Sequence, residues 1–415
     1  MKRKKVDVIS LGCSKNLVDS ERLMKMLSDA GMEPCHEPET TKTGDIVVVN
    51  TCGFIGDAKE ESVNTILEYA DLKSRGKISA LYVMGCLSER YRKELPAEIP
   101  EVDGWFGKTD WHGIVKELAR RYPATASYDR IITTPRHHAY LKIAEGCDRF
   151  CAFCAIPLIT GRYKSRDPRE IEEEVRLLAG RGVKEFNIIA QDLSGYGCDT
   201  NSGKSTLANL LKRLSDIKGV EWLRLHYAYP AGFPLDILPV IAERDNICSY
   251  LDIALQHISD KVLKAMRRRV GKQETLELLD KIRTTVPDIH IRTTLMTGFP
   301  GEGDAEFDEL MEFVRTTRFE RMGAFAYCEE EGTFAALNYN DDIPADVKQK
   351  RLDSLMALQE EISAQIQDKK IGSVYKVMID REEDNHFVGR TQWDSPEVDP
   401  EVLVKKDRTL MIGGF

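Results

Sequence analysis

Three of the ten cysteines fall within one short stretch, Cys147-Asp148-Arg149-Phe150-Cys151-Ala152-Phe153-Cys154. Spacings of four and then three let one loop wrap three thiolates round three irons of a cubane cluster. The fourth iron then stays open to a substrate or cofactor. Zinc sites more often use two C-x-x-C pairs closed by four ligands, and ferredoxins add a fourth nearby cysteine. Three further cysteines each end an apolar run: Val6-Asp7-Val8-Ile9-Ser10-Leu11-Gly12 meets Cys13, Asp45-Ile46-Val47-Val48-Val49-Asn50-Thr51 meets Cys52, and Ala80-Leu81-Tyr82-Val83-Met84-Gly85 meets Cys86. Alone, each reads first as a small buried hydrophobe. Together, three thiols in one topological place indicate a shared metal or cluster site. With no histidine at a fourth strand end, iron–sulfur fits better than a closed zinc site. Cys35, Cys198, Cys248 and Cys328 fit no ligand spacing and read as buried or incidental, although Cys198 adjoins the Gly195-Tyr196-Gly197 loop.

These thiols need a scaffold, and the pattern supplies one. Between the first two runs lies a helix, with Asp19 or Ser20 as its N-cap, Leu23, Met24 and Leu27 on its apolar face, and Gly31 as its stop. A helix from Lys59 to about Leu72 turns Val63, Ile66, Leu67 and Ala70 inward, and Ser88 caps another. Strand–helix alternation of this kind implies a parallel sheet, whose ligands bind at the carboxyl ends of the strands. After a linker with Pro123 and Thr134-Pro135, the strand Tyr140–Ala144 runs into the cysteine triad. Further strands are expected at 185–190, 222–227, 250–255, 290–297 and 322–327. Helices are expected at 170–180, 206–217, 235–243, 273–285 and 305–317. Six βα units make an open partial barrel, with its site at the carboxyl ends of the strands. Gln191 and Asp192, Gln256 and His257, and Gly298 to Glu302 fall there. Arg292 interrupts an apolar β-branched strand, either to bind a cofactor carboxylate or to form a buried ion pair. His137 and His138 read as linker surface, and Arg267-Arg268-Arg269 as the basic last turn of a helix.

The triad spacing, with Phe153 just before the last cysteine, resembles the signature of the radical S-adenosylmethionine (SAM) superfamily. The resemblance implies that Cys147, Cys151 and Cys154 hold a catalytic 4Fe–4S cluster. SAM would chelate its open iron and be cleaved to a 5′-deoxyadenosyl radical, with Phe153 beside the adenine and Gln191, Gln256 and Arg292 near the cofactor. A second three-cysteine domain ahead of such a core resembles the methylthiotransferases, with Cys13, Cys52 and Cys86 holding a second 4Fe–4S cluster. Leu11-Gly12-Cys13-Ser14-Lys15-Asn16, Val18-Asp19-Ser20-Glu21 and Asn50-Thr51-Cys52-Gly53-Phe54-Ile55 are similar to the RimO branch. So are Ala190-Gln191-Asp192, Arg292-Thr293-Thr294 and Gly298-Phe299-Pro300-Gly301-Glu302. Asp148 stands where many members have Asn, away from the ligands. The resemblance implies transfer of a methylthio group to the β-carbon of an aspartate in ribosomal protein S-twelve of the small subunit. SAM would be used twice, and an electron donor and a sulfur source would be required. The rivals are the transfer RNA adenosine methylthiotransferases and, from another class, a non-catalytic iron–sulfur carrier.

The expected architecture is α/β throughout its first two domains: an N-terminal parallel βαβ cluster domain at 1–125 and a radical SAM partial (βα)6 barrel at 126–369. A small antiparallel TRAM-like barrel follows at 370–415. A long helix from Ala345 to about Lys369, with Pro344 at its start, carries an apolar stripe of Leu352, Leu355, Met356, Leu358 and Ile362. Strands Val374–Ile379, Phe387–Arg390 and Glu401–Val404 follow. A closed barrel needs more strands than these, so a chain truncated after Phe415 is expected. From Gly372 onward the chain holds nine acidic residues (Asp380, Glu382, Glu383, Asp384, Asp394, Glu397, Asp399, Glu401, Asp407) against six basic ones (Lys376, Arg381, Arg390, Lys405, Lys406, Arg408), a net of −3. The whole 415-residue chain carries −9. Both values suit a basic protein partner better than RNA as the main recognition element. No stretch approaches the roughly 20 apolar residues of a membrane span, and the basic start, Met1 to Lys5, lacks a signal-type apolar region. A soluble, cytoplasmic protein with reduced thiols is therefore expected.

Overall fold

A computed structural model describes residues 4–38, 46–119, 128–200 and 203–415. Five parallel strands open the chain: β1 (Lys5–Ser10), β2 (Glu33–His36), β3 (Ile46–Thr51), β4 (Ala80–Gly85) and β5 (Gly104–Trp105), in the order β2-β1-β3-β4-β5. All six residues of β3 are buried, because its β-branched run has helices on both faces. Alternate side chains go to opposite sides. Val6, Val8 and Val48 meet Leu23 and Leu27, while Val47, Val49, Leu81 and Val83 meet Ile66.

The sequence expectations need local corrections here. The first helix is Ser14–Asp29, starting directly after Cys13, which takes the extended N-cap conformation. Asp19 and Ser20 are instead buried inside it. Ser88 is no cap either: its helix, Cys86–Arg90, begins at the cysteine, and the Ser88 hydroxyl donates to the Phe106 carbonyl at 2.7 Å. Leu67 lies outward on helix Gly56–Ser74, at 48% exposure. The short edge strands β2 and β5 carry too few residues for a period to show. Pro123, the linker marker, and Asp45 lie outside the described residues.

The middle of the chain forms β6 (His138–Lys142), the two-stranded ribbon of β7 (Ala144–Glu145) and β8 (Lys164–Ser165), and then β9 (Glu185–Ile189), β10 (Trp222–Ala228), β11 (Ile247–Gln256), β12 (His290–Thr297) and β13 (Arg321–Ala326). The order β13-β12-β11-β10-β9-β6 is parallel throughout, as the expected six-unit partial barrel requires. Helices Pro168–Gly180, Leu207–Ser215, Ile237–Glu243, Lys272–Thr285 and Asp304–Thr317 form the crossovers. The long helix Ala345–Asp368 packs on β13 and on Asp304–Thr317 through Leu355 and Ile362. Met356, expected in its stripe, is exposed, and the buried face is completed by Lys348, Arg351 and Gln359. The Gln359 amide donates to the Phe319 carbonyl at 2.9 Å.

The last segment is a three-stranded antiparallel sheet of β14 (Val377–Glu382), β15 (His386–Thr391) and β16 (Val402–Lys405). It seats against the amino ends of the core strands. Arg390 pairs with Glu185 at 2.7 Å, Arg321 with Asp394 at 2.5 Å, and Trp393 stacks on His290 at 4.8 Å. His137 and His138 are therefore not linker surface. Both are buried, His138 within β6 and His137 bonded to Asp380 at 2.7 Å. The acidic count of this segment also overstates its surface. Asp380, Asp394 and Asp399 are taken up by Arg390, Arg321 and Arg292. No helix among the described residues is long and apolar enough to cross a membrane.

Candidate functional site

The carboxyl ends of both parallel sheets face one cavity of about 330 Å³, and all six motif cysteines line it. Cys13, Cys52 and Cys86 come from the ends of β1, β3 and β4, and Cys147, Cys151 and Cys154 from the loop after β7. Two glycines permit the close packing of the strand ends that carry the first three. At Gly12 (φ +87°) an added Cβ would sit 2.8 Å from the Cys52 sulfur. At Gly85 (φ +106°) it would sit 2.5 Å from the Thr51 nitrogen. Asn16, buried in the first helix, ties the strand ends together. Its amide donates to the carbonyls of Leu11 and Thr51, both at 3.0 Å, while the Cys86 thiol lies 3.7 Å from its Oδ1.

Burial pushes the thiols of Cys52, Cys86, Cys147 and Cys154 away from ionisation. Cys86 rises to about 12, with Cys13 and Cys52 adding to the effect, and Cys147 rises to about 11. Cys52 and Cys154 move in the same direction for the same reason. Iron binding at such thiols releases protons. Among the described residues no three His, Cys, Asp or Glu are close enough to share one metal ion.

Around the second triad, the Cys151 sulfur is 3.8 Å from the Tyr229 hydroxyl and 3.6 Å from a guanidinium nitrogen of Arg268. Tyr229 lies between two guanidiniums, Arg149 at 4.3 Å and Arg268 at 4.0 Å from its ring centre. Asp192 fixes Arg149 at 2.6 Å. Phe153 lines the cavity and packs edge-on against Phe299. Gln191 and Gln256 line it too, and the side-chain oxygen of each is buried without a protein partner. Two unused acceptors in one cavity fit a ligand carrying amino and hydroxyl donors, as SAM does. Tyr227 (φ +64°) and Gln256 (φ +71°) hold left-handed backbone at the cavity wall, where the strands end.

Arg292 is not brought to this cavity. It is the third residue of β12, well below the strand's carboxyl end, and Asp399 takes its charge at 2.5 Å. Of its two sequence readings, the buried ion pair is the one observed. The carboxylate of Glu302 is likewise turned away, to Arg351 at 2.9 Å and His257 at 3.3 Å. Cys35 and Cys328 are exposed, Cys248 is buried elsewhere, and Cys198 is absent from the lining.

Several site residues escaped the sequence reading. Tyr229 was findable, since it follows β10 as Gln191 follows β9. Arg268 was hidden inside a basic run that resembled a helix end. A seam of buried charge under the cavity carried no sequence signal. Lys108 and Gln191 both bond Glu145 Oε1, Lys142 reaches its other oxygen at 3.0 Å, and Lys142 also binds Asp19. Burial opposes ionisation of Glu145, but Lys142 and Lys108 override it and hold the carboxyl well below its usual range.

Family models match three parts of the chain. They are an uncharacterized protein family, UPF0004, over residues 5–107, the radical SAM superfamily over 141–314, and the TRAM domain over 371–415. The ribosomal protein uS12 methylthiotransferase RimO of Porphyromonas gingivalis is 61% identical over 404 residues, covering 97% of this chain and 93% of the relative. The protein of the same name from Bacteroides fragilis is 58% identical over 416 residues, covering 100% and 96%. Among solved structures, the radical SAM methyltransferase TsrM of Kitasatospora setae superposes with a TM-score of 0.57 at 15% identity, covering 78% of this chain and 75% of that one. The cobalamin-dependent enzyme OxsB gives 0.54 at 12%, covering 88% and 56%. These two likenesses concern the fold.

Proposed function

Because the chain belongs to the RimO family of ribosomal protein uS12 methylthiotransferases, we propose that it adds a methylthio group to the β-carbon of one aspartate of uS12. Cys13, Cys52 and Cys86 would hold one 4Fe–4S cluster, and Cys147, Cys151 and Cys154 the other. When bound, the clusters and SAM supply the electron, the radical, the methyl group and the transferred sulfur. An external electron donor and a sulfur source complete the reaction.

The observation that carries this reading is the single cavity lined by both triads. Groups prepared at one triad need not cross bulk solvent to reach the other. The side chains bind, orient and exclude water. Phe54, Phe153, Ile156, Tyr227 and Tyr229 give the cavity a largely apolar wall, which protects reactive species from side reactions. Gln191 and Gln256 offer acceptors to SAM. Arg268 places a guanidinium nitrogen 3.6 Å from the Cys151 sulfur, and Arg149 stacks on the neighbouring Tyr229 ring. Lys15 lies 3.5 Å over the Tyr227 ring and closes the wall from the N-terminal side.

The test is anaerobic reconstitution with iron and sulfide, followed by SAM, a reductant, uS12 and bulk transfer RNA in one vessel. Mass spectrometry should find the methylthio group on one aspartate of uS12. A group on transfer RNA would move the enzyme to the adenosine-modifying branch. Failure to cleave SAM would contradict an enzymatic role.

A further inference from the structure

Beside the cysteine cavity lies a second concave site of about 410 Å³, lined by Arg149, Lys264, Arg267, Arg268 and Arg269 with a single acidic residue, Asp260. Arg149 and Arg268 border both cavities. The shape follows from the backbone. Helix Asp260–Ala265 ends, and Arg267 takes a left-handed conformation (φ +57°). That turn sends Arg268 inward and leaves Arg267 and Arg269 exposed.

The charges here are unusual for this molecule. The chain is acidic overall, and its other clustered arginines, such as Arg130, Arg166, Arg321, Arg351 and Arg390, are neutralised by carboxylates. Among the described residues no ion pair engages Lys264, Arg267 or Arg269, and Asp260 already accepts from the Lys272 backbone at 2.7 Å. Arg267 is stacked 4.4 Å over the Phe334 ring, which orients the guanidinium and leaves its donors free. A concentration of unpaired positive charge repels a basic polypeptide, and proteins that neutralise RNA are basic. A uS12 molecule approaching this rim alone meets like charge. One approaching with its RNA brings the anion the pocket lacks. The guanidinium fork matches phosphate geometry.

We propose that this pocket seats backbone phosphates of the ribosomal RNA bound to uS12, so that the enzyme takes uS12 in its RNA-bound state. The inference rests on the uS12 reading above. The C-terminal sheet is poorly placed for this contact, since it seats against the amino ends of the core strands, away from the cavity, with Arg390 buried in ion pairs.

The experiment compares free uS12 with small ribosomal subunits lacking the modification, using wild type and the double variant Arg267→Gln, Arg269→Gln across a salt series. Wild type should favour the subunits, and kcat/KM on them should fall steeply with salt. The double variant should lose roughly tenfold or more on subunits at low salt, and its log–log salt slope should shrink by about 1 per arginine. Its activity on free uS12 and its SAM cleavage without substrate should be unchanged. The Arg267→Lys, Arg269→Lys pair should keep most of the salt slope, which separates charge from folding. Unchanged slopes, equal losses on free uS12 and subunits, lost SAM cleavage, or a wild-type preference for free uS12 would each overturn the proposal. If wild type modified neither substrate, the uS12 reading itself would fail.

Discussion

Removing Arg130 should unseat the N-terminal sheet from the radical core. Its side chain is fully buried between Glu21, on the first helix, and Glu174, on helix Pro168–Gly180 of the core. The guanidinium binds Glu21, donates to Glu174 Oε1 at 2.8 Å, and also reaches the Tyr140 carbonyl. Glu174 keeps Arg166 at 2.7 Å and Arg22 at 3.5 Å when Arg130 is lost. Glu21 keeps only the Thr133 amide and hydroxyl, at 2.7 and 2.9 Å, and no described cation. Breaking one side of a buried pair costs about 3–5 kcal/mol, because the remaining charge is stranded. Arg130→Met should therefore fall in that range. Adding Glu21→Gln should recover part of it, with a coupling energy of about 1–3 kcal/mol. Urea unfolding of the cluster-free, reduced protein measures this. Fluorescence of Trp111, which Arg22 overlies at 5.6 Å, serves as a local probe of the seam. Additive effects within about 0.5 kcal/mol, or a loss under about 1 kcal/mol for Arg130→Met, would refute the reasoning.

The same seam sets an acid limit. Burial opposes ionisation of Glu174, but Arg166, Arg130 and Arg22 bring its pKa down to about 2 from 4.5. Its contribution is complete above pH 4.5 and is lost as pH falls toward 2, so Glu174→Gln should flatten the pH dependence of urea midpoints in that window. Gly85→Ala forces a Cβ to within 2.5 Å of the Thr51 nitrogen beside Cys86. It should lose about four irons per chain while SAM cleavage survives, as iron analysis and product chromatography would report. Leu355→Ala, at 0% exposure, should cost about 2–5 kcal/mol. Met356→Ala next to it should cost under about 0.5 kcal/mol, and equal thermal shifts would contradict the helix orientation.

Most of the framework was legible in the sequence. Strand–helix alternation placed the six core strands, and the cysteine runs placed three thiols at one sheet edge. Both rest on local periodicity, which a single sequence carries. The errors have a common cause: they concern contacts between parts distant in the chain. The two readings of Arg292, cofactor ligand or ion pair, could not be separated in the sequence because Asp399, its partner, lies 107 residues away. His137 and His138 looked exposed because the sheet that covers them comes at the end of the chain. The Leu67 and Met356 assignments failed because a helix period gives a stripe but not its width. Arg268 was missed because nothing in Arg267-Arg268-Arg269 says which of the three turns inward. That depends on one left-handed residue.

In the proposed function both cysteine triads serve one reaction inside one chain. Cys13→Ala and Cys147→Ala variants, each reconstituted and each checked for its surviving cluster, should be assayed on uS12 separately and mixed. Since all six cysteines line a single cavity, the mixture should be as inactive in methylthio transfer as either variant alone, although the Cys13→Ala partner still cleaves SAM. Restored transfer in the mixture would mean that the two sites exchange a diffusible intermediate, and the single-cavity account would be wrong.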